Sequence, residues 1–245
     1  MSEVLVRPGG ELASRPLHFF WMVDCSGSMD GEKIGVVNNA IQNVLPEMVE
    51  EAENNPNAQL YVRTLKFSSG ASWVTAEPVK VEEYVWEDLG AVGLTDMGKA
   101  FDLLAAQLSI PPMPERALPP VVVMLSDGQP TDDYKQSLAN LQKLPWMKKA
   151  VKIAIAIGQD ADQEILTEFT GNQELVLQAN NATMLTKMIK WASTAVSSVS
   201  TGMTGESSAT MDMAGTGEGE TTSAMILDMD NLPTPEEDVD GSDVW

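Results

Sequence analysis

The sequence predicts a three-layer α/β fold in which a mostly parallel β-sheet is flanked by helices on both faces. Three observations predict it. From about residue 15 to residue 200, apolar runs of strand length alternate with amphipathic stretches of helix length, the order that gives parallel strands joined by helical crossovers. The apolar runs "LHFFWMV" (17–23), "VVVML" (121–125) and "VKIAIAI" (151–157) are continuous rather than alternating, which suits strands buried on both faces. Two of these runs end directly in oxygen-bearing residues, in "DCSGSM" and "SDG", and an open parallel sheet collects its functional groups beyond the carboxyl ends of its strands.

The elements follow in order. "LHFFWMV" is bounded by Pro16 and Asp24 and reads as the first buried strand. "EKIGVVNNAIQNVLPEMVEEAE" (32–53) carries Ile34, Val37, Ile41, Val44, Leu45, Met48 and Val49 at helical spacing, and Pro46 is expected to kink or restart that helix. "AQLYVRTLKF" (58–67) reads as a strand with which "ASWVT" can pair, and "TDMGKAFDLLAAQL" (95–108) as a helix capped by Thr95 or Asp96. The buried strand within "PVVVMLSDG" (120–128) precedes a helix predicted over about 131–144, and "VKIAIAIG" is followed by "DQEILTEFTG", a short strand "ELVLQA" and a final helix "NATMLTKMIKWASTAVSSV". The expected organisation is an N-terminal extension over 1–11, one domain over 12–200 and a tail over 201–245.

The composition narrows the chemistry. A formal net charge of −21 disfavours nucleic acid and anionic membrane as partners, since phosphate neutralisation needs Lys and Arg. One cysteine, Cys25, and one histidine, His18, leave no disulfide and no Cys- or His-based zinc site, so any metal must be held by oxygen. "MSEVLVRPGGELASRP" lacks the basic patch and apolar segment of a signal peptide, which makes cytoplasmic the expected location. Residues 201–245 contain 11 acids and no Lys or Arg in a Gly, Ser, Thr and Met-rich background, a composition expected to be disordered on its own. Within it "AMILDMDNLPTPEEDVDGSDVW" spaces apolar residues as a peptide ligand spaces anchors.

Asp24, Ser26 and Ser28 follow the first strand, Asp127 follows "VVVMLS", and Thr95 opens a helix between them. The set is all hard oxygen with only two carboxylates, which suits Mg²⁺, or Mn²⁺, over zinc or copper.

"DCSGS" is the D-x-S-x-S signature of the von Willebrand factor A (vWA) domain, and with Thr95 and Asp127 it resembles that family's metal-ion-dependent adhesion site (MIDAS) residue by residue. "MVDCSGSMDGEKIGVVNNAI" and "LSDGQPTDD" are similar to bacterial TerY-type vWA proteins, named for tellurite-resistance loci. The resemblance implies a vWA (Rossmann-like) fold, with Ser26, Ser28 and Thr95 touching the metal and Asp24 and Asp127 acting directly or through water. It also implies a protein partner whose acidic side chain completes the metal shell. The TerY-type setting implies an adaptor or scaffold in a stress-response or signalling system with a protein kinase and a PP2C-type phosphatase. Where relatives often carry a "GGT" loop, this chain reads "VGLTDMGKA".

The remaining candidates have plainer alternatives. Asp96 reads as a helix cap, and Asp132 and Asp133 as first-turn acids of a helix, all three with a partner-facing role as the alternative. Cys25 is expected to pack as a small side chain and His18 as a satisfied core residue. "GLTDMGKA" fits G-x-x-x-x-G-K but has Ala100 where a P-loop needs Ser or Thr. No general base beside a nucleophile is evident, so the domain is read as a binding module and not as an enzyme. The enzyme alternative, a haloacid-dehalogenase-like phosphotransferase with Asp24 as nucleophile, needs an acid at the position of Ser26. A further alternative has an acid of the tail, among Asp228, Asp230, Glu236 and Glu237, occupying the chain's own metal site. Thr234, between prolines and acids in "LPTPEED", is a candidate phosphorylation site.

Overall fold

The sheet is organised around β1 (Arg15–Asp24), which pairs in parallel with β2 (Ala58–Ser68) on one side and β5 (Val121–Ser126) on the other. The computed structural model describes residues 14–55, 58–159 and 161–190. Beyond β5 lie β6 (Val151–Ile157) and β7 (Val176–Ala179), both parallel, while β3 (Gly70–Trp73) and β4 (Val79–Lys80) run antiparallel along the outer edge of β2. The sheet order is thus β3-β2-β1-β5-β6-β7, with β4 beside β2. The chain winds outward in both directions from β1, so the gap between the ends of β1 and β5 is the topological switch point, where such sheets place ligands.

Helices cover both faces: α1 (Glu32–Glu53), α2 (Met97–Gln107), α3 (Tyr134–Lys143), α4 (Pro145–Lys149), α5 (Gln163–Thr170) and α6, residues 182–190. The continuous apolar strands explain this arrangement, because alternate side chains of one strand feed two cores. Phe19, Trp21 and Val23 pack with Val37, Ile41 and Met48 of α1 and Leu185 and Ile189 of α6. Phe20 and Met22 pack on the opposite face with Phe101, Leu138 and Phe169, and the Phe101 and Phe169 rings stack at 5.7 Å.

Three expectations are corrected. The helix over 32–53 is not restarted at Pro46 but runs through it as one 22-residue helix. Pro46 removes one intrahelical hydrogen bond and crowds Gln42, at a cost of about 3 kcal/mol, yet Val44, Leu45 and Met48 around it are all buried, each contributing roughly 1.5–3 kcal/mol. The helix after β5 begins at Tyr134 rather than near Thr131, because Thr131 and Asp132 are bonded to another loop, described below. His18 is buried as expected, but neither ring nitrogen has a hydrogen-bond partner. The ring stacks on Phe20 and Tyr61 at 5.9 and 5.5 Å, and burial holds its pKa down at about 4.

The outer edge of β2 is fastened by a buried arginine. Arg63 donates to the carbonyls of Thr75 and Ala76 and to Gln107 Oε1, and its guanidinium lies 4.1 Å from the Trp73 ring. Arg63→Met keeps much of the stem but leaves those acceptors unpaired, and a loss of about 2–4 kcal/mol is expected from urea unfolding. A loss below about 0.5 kcal/mol would show that the clamp contributes little.

Candidate metal centre

The first loop is fixed by its own acid. Asp24 ends β1, one step past the register pair Val23 and Leu125, and so lies opposite Ser126. Its Oδ1 accepts from the Ser26 backbone N–H at 2.9 Å and its Oδ2 accepts from the Ser126 hydroxyl at 2.6 Å. The Oγ atoms of Ser26 and Ser28 are 3.0 Å apart, Ser26 buried at the base and Ser28 exposed at the rim. Gly31, with φ +83°, precedes α1 and turns the chain into the helix.

Asp24 is fully buried, and burial, reinforced by the neighbouring Asp127 carboxylate, outweighs its hydrogen bonds and pushes its pKa up to about 6. Asp127 follows β5 and is also fully buried, yet neither of its carboxylate oxygens has a hydrogen-bond partner. Its main chain is held by a bond from the Asp162 N–H to the Asp127 carbonyl at 2.8 Å. Gly128 has φ +69°, and a Cβ there would come within 2.7 Å of the Asp162 carbonyl, so the turn that aims Asp127 requires glycine.

Thr95 arrives on the loop before α2. Its N–H donates to Thr131 Oγ1 at 3.0 Å and its carbonyl accepts from the Thr131 N–H at 2.9 Å. The same loop is bonded to the first one through Val92 N–H to the Cys25 carbonyl and Gly27 N–H to the Gly93 carbonyl, at 2.8 and 2.9 Å. Three loops from three parts of the sequence are therefore tied at the carboxyl edge of the sheet.

The other acids have structural partners. Asp132 precedes α3 and accepts from the Gly98 and Lys99 N–H groups at 3.1 and 3.3 Å, so it caps α2 from another element instead of lying in a first turn of its own helix. Asp133 occupies the N-cap position of α3 and is exposed. Asp96 occupies the N-cap position of α2 without a capping bond, and its carboxylate pairs with Lys99. Cys25 is buried in the core with its thiol pushed up to about 12, mainly by burial. Thr234 and the tail acids lie outside the described residues.

Sequence reading missed Ser126, whose hydroxyl both holds Asp24 and accepts from the Gly128 N–H at 2.8 Å. Its one sequence signal is a polar residue closing an apolar strand immediately before Asp127. Thr131 and Ser69, which accepts from the Leu94 N–H at 3.0 Å, were missed as well, and nothing in their local sequence marks them.

Among the described residues no three His, Cys, Asp or Glu side chains cluster as a metal site, so a cation here must take hydroxyl oxygens beside the two carboxylates. The donor set passes that test. Asp127 offers two uncompensated buried oxygens, and Asp24 retains lone pairs after its two bonds. Ser26, Ser28 and Thr95 add neutral oxygens, and the whole is a hard-oxygen set of the kind that suits Mg²⁺ or Mn²⁺.

Solved structures share the fold. The pilus adhesin SpaC of Lactobacillus rhamnosus GG, in its open conformation, is 15% identical with a TM-score of 0.60 over 77% of this chain and 31% of the adhesin. VWA2, the ArnB paralog of Sulfolobus acidocaldarius, is 17% identical with a TM-score of 0.54 over 71% of this chain and 44% of its own. Proximal thread matrix protein 1 of the mussel byssus, with a zinc-occupied MIDAS motif, is 16% identical with a TM-score of 0.55 over 75% of this chain and 46% of its own. This chain therefore spans less than half the length of each. No curated protein matches the sequence. Among the described residues no helix is long and apolar enough to cross a membrane. Residues 20–191 match the model of the von Willebrand factor type A domain, and the chain belongs to that family.

Proposed function

We propose that this vWA domain holds a divalent cation, Mg²⁺ with Mn²⁺ as the alternative, on Asp24, Ser26, Ser28, Thr95 and Asp127 and presents it to an acidic side chain of a protein partner. The observation that carries this reading is the Asp127 carboxylate, fully buried with both oxygens unpartnered, an arrangement costing several kcal/mol unless a cation offsets it. A bound divalent ion supplies an electrophilic position that a carboxylate from another molecule can fill. The protein's own part is positioning: Ser126 and the Ser26 N–H orient Asp24, Gly128 aims Asp127, and Thr131 fixes the backbone of Thr95. The zinc-occupied motif of the byssus protein and the adhesin role of SpaC support the same reading from the fold.

The narrower setting rests on sequence resemblance alone: a cytoplasmic TerY-type adaptor working with a protein kinase and a PP2C-type phosphatase. The phosphotransferase alternative gains nothing from the geometry, because both oxygens of Asp24 accept hydrogen bonds and position 26 is a serine.

Thermal unfolding in EDTA and in a Mg²⁺ titration tests the proposal. An ion binding only the folded state adds about 2.7 kcal/mol at 100 times its dissociation constant, a rise in Tm of roughly 5–10 °C for a domain of this size. Asp127→Ala is expected to abolish that rise. The same rise in the variant would remove the metal from this site.

A further inference from the structure

We propose that the metal site is bordered on its Thr95 loop by a fixed apolar edge, Val92 and Leu94, and that its occupant in the resting chain is the chain's own segment "MILDMDNL" (225–232), with Asp228 supplying the carboxylate. The inference rests on the metal-presenting role proposed above and names the ligand of that same site.

Val92 and Leu94 are 74% and 58% exposed, two of only four large hydrophobic side chains so exposed among the described residues. Their exposure does not reflect a loose loop. Between them Gly93 has φ +90° and sits so tightly that a Cβ would lie 2.5 Å from Ser69 Oγ. The backbone on either side is bonded to Cys25, Gly27, Ser68, Ser69 and Thr131. A pinned loop thus holds two apolar side chains in water on both sides of Gly93, whose carbonyl is bonded to Gly27 between the site's two serines. That surface favours an acid with apolar neighbours over one in a polar run, because the flanking side chains gain burial as the carboxylate enters.

The 11 acids of residues 201–245 divide sharply by this criterion. Glu236, Glu237 and Asp238 adjoin one another, and Glu206, Glu218 and Glu220 lie among Gly, Ser and Thr. Asp212 and Asp228 alone have apolar residues on both sides, and only Asp228 extends that context, through Met225, Ile226, Leu227, Met229 and Leu232.

Reach is also adequate. The described chain ends at Lys190, whose Nζ pairs with Glu47 Oε1 at 2.9 Å. Glu47 lies 15 residues along α1 from the end of that helix nearest the site, about 22 Å at 1.5 Å per residue. Asp228 lies 38 residues beyond Lys190, and 38 residues can span at most roughly 125 Å, well over that distance. A tethered segment able to reach its site acts at an effective concentration of up to about a millimolar. Electrostatics make the docking metal-dependent. Residues 14–190 carry 23 acids against 14 bases, so an acidic segment is repelled from the domain except where a cation offsets the charge.

Hydrogen–deuterium exchange on the full-length chain tests the proposal, with the thermal response to Mg²⁺ followed in parallel. Residues 225–232 are expected to exchange about tenfold more slowly in Mg²⁺ than in EDTA, as a millimolar effective concentration gives against an intrinsic affinity of about 0.1 mM. The slowing should vanish in Asp228→Asn and in Leu94→Ser while both variants keep their Mg²⁺-dependent rise in Tm, and it should persist in Asp212→Asn. Absence of slowing with the Tm rise intact overturns the docking and leaves the metal site standing. Slowing that survives EDTA or Asp228→Asn also overturns it, and slowing that grows with protein concentration assigns the contact to a second copy instead. Absence of any Mg²⁺ response in the unmutated chain overturns the metal reading and this inference together.

Discussion

The Asp24→Asn protein in EDTA at pH 7.5 is expected to be more stable than the unmutated chain by about 1–2 kcal/mol, and to gain nothing from Mg²⁺. Burial holds the Asp24 carboxyl at about 6 against a reference of 3.8. Between about pH 3.8 and 6 the folded state keeps a proton that the unfolded chain has released, and above pH 6 it holds a buried charge instead. With the folded pKa raised, this group's contribution to stability is full below pH 3.8 and is lost as the pH rises through about 6. Each pKa unit is worth about 1.4 kcal/mol, which sets the size of the effect. Asn keeps one contact, its Oδ1 accepting from the Ser26 N–H, and its amide can donate to Ser126 Oγ; the buried Ser126 hydroxyl then loses the oxygen it donates to, which offsets about 1–2 kcal/mol of the gain. Equilibrium unfolding in EDTA from pH 4 to 8 measures this directly. An Asn variant less stable than the parent at pH 7.5 would mean that the buried charge is already compensated without metal.

His18→Phe has the opposite pH signature. The folded pKa of about 4 lies below the reference of 6.5, so the unfolded chain takes up a proton first. His18 therefore costs no protonation energy above pH 6.5, and the protein loses about 3 kcal/mol as the pH falls from there through about 4. Phenylalanine in the stack with Phe20 and Tyr61 removes that loss along with two unpartnered buried nitrogens, adding roughly 1–3 kcal/mol at neutral pH as well. Between pH 4 and 6 the two groups offset each other, so the metal-free parent should show a nearly flat stability profile. Asp24→Asn should uncover a fall on acidification and His18→Phe a rise. A parent profile that rises or falls steeply across this window would contradict the pairing of the two effects.

How much of this was legible in the sequence depended on the range of the interaction. Strand and helix identities were readable because they follow from hydrophobic periodicity within a dozen residues, as in the fully buried β5. Pro46 does not end the helix, because burial of Val44, Leu45 and Met48 outweighs its local cost. Local capping rules put Asp132 in the first turn of its own helix, whereas it caps α2, 34 residues earlier in the chain. Thr131 and Ser69 carry no sequence signal of their own, and Ser126 only its place at the end of an apolar strand, since their roles exist only when separate loops meet.

The sequence by itself determined the fold class, the two cores and the identity of the oxygen-bearing residues at the strand ends, because alternation of side chains along buried strands leaves few ways to cover both faces. Tertiary structure alone decided that Asp127 is buried without a partner, that Asp24 is held by Ser126 across 102 residues, and that Val92 and Leu94 stand in solvent on a pinned loop. Each of these depends on hydrogen bonds and desolvation between segments distant in the chain, and those distances are set only when β1 and β5 lie side by side.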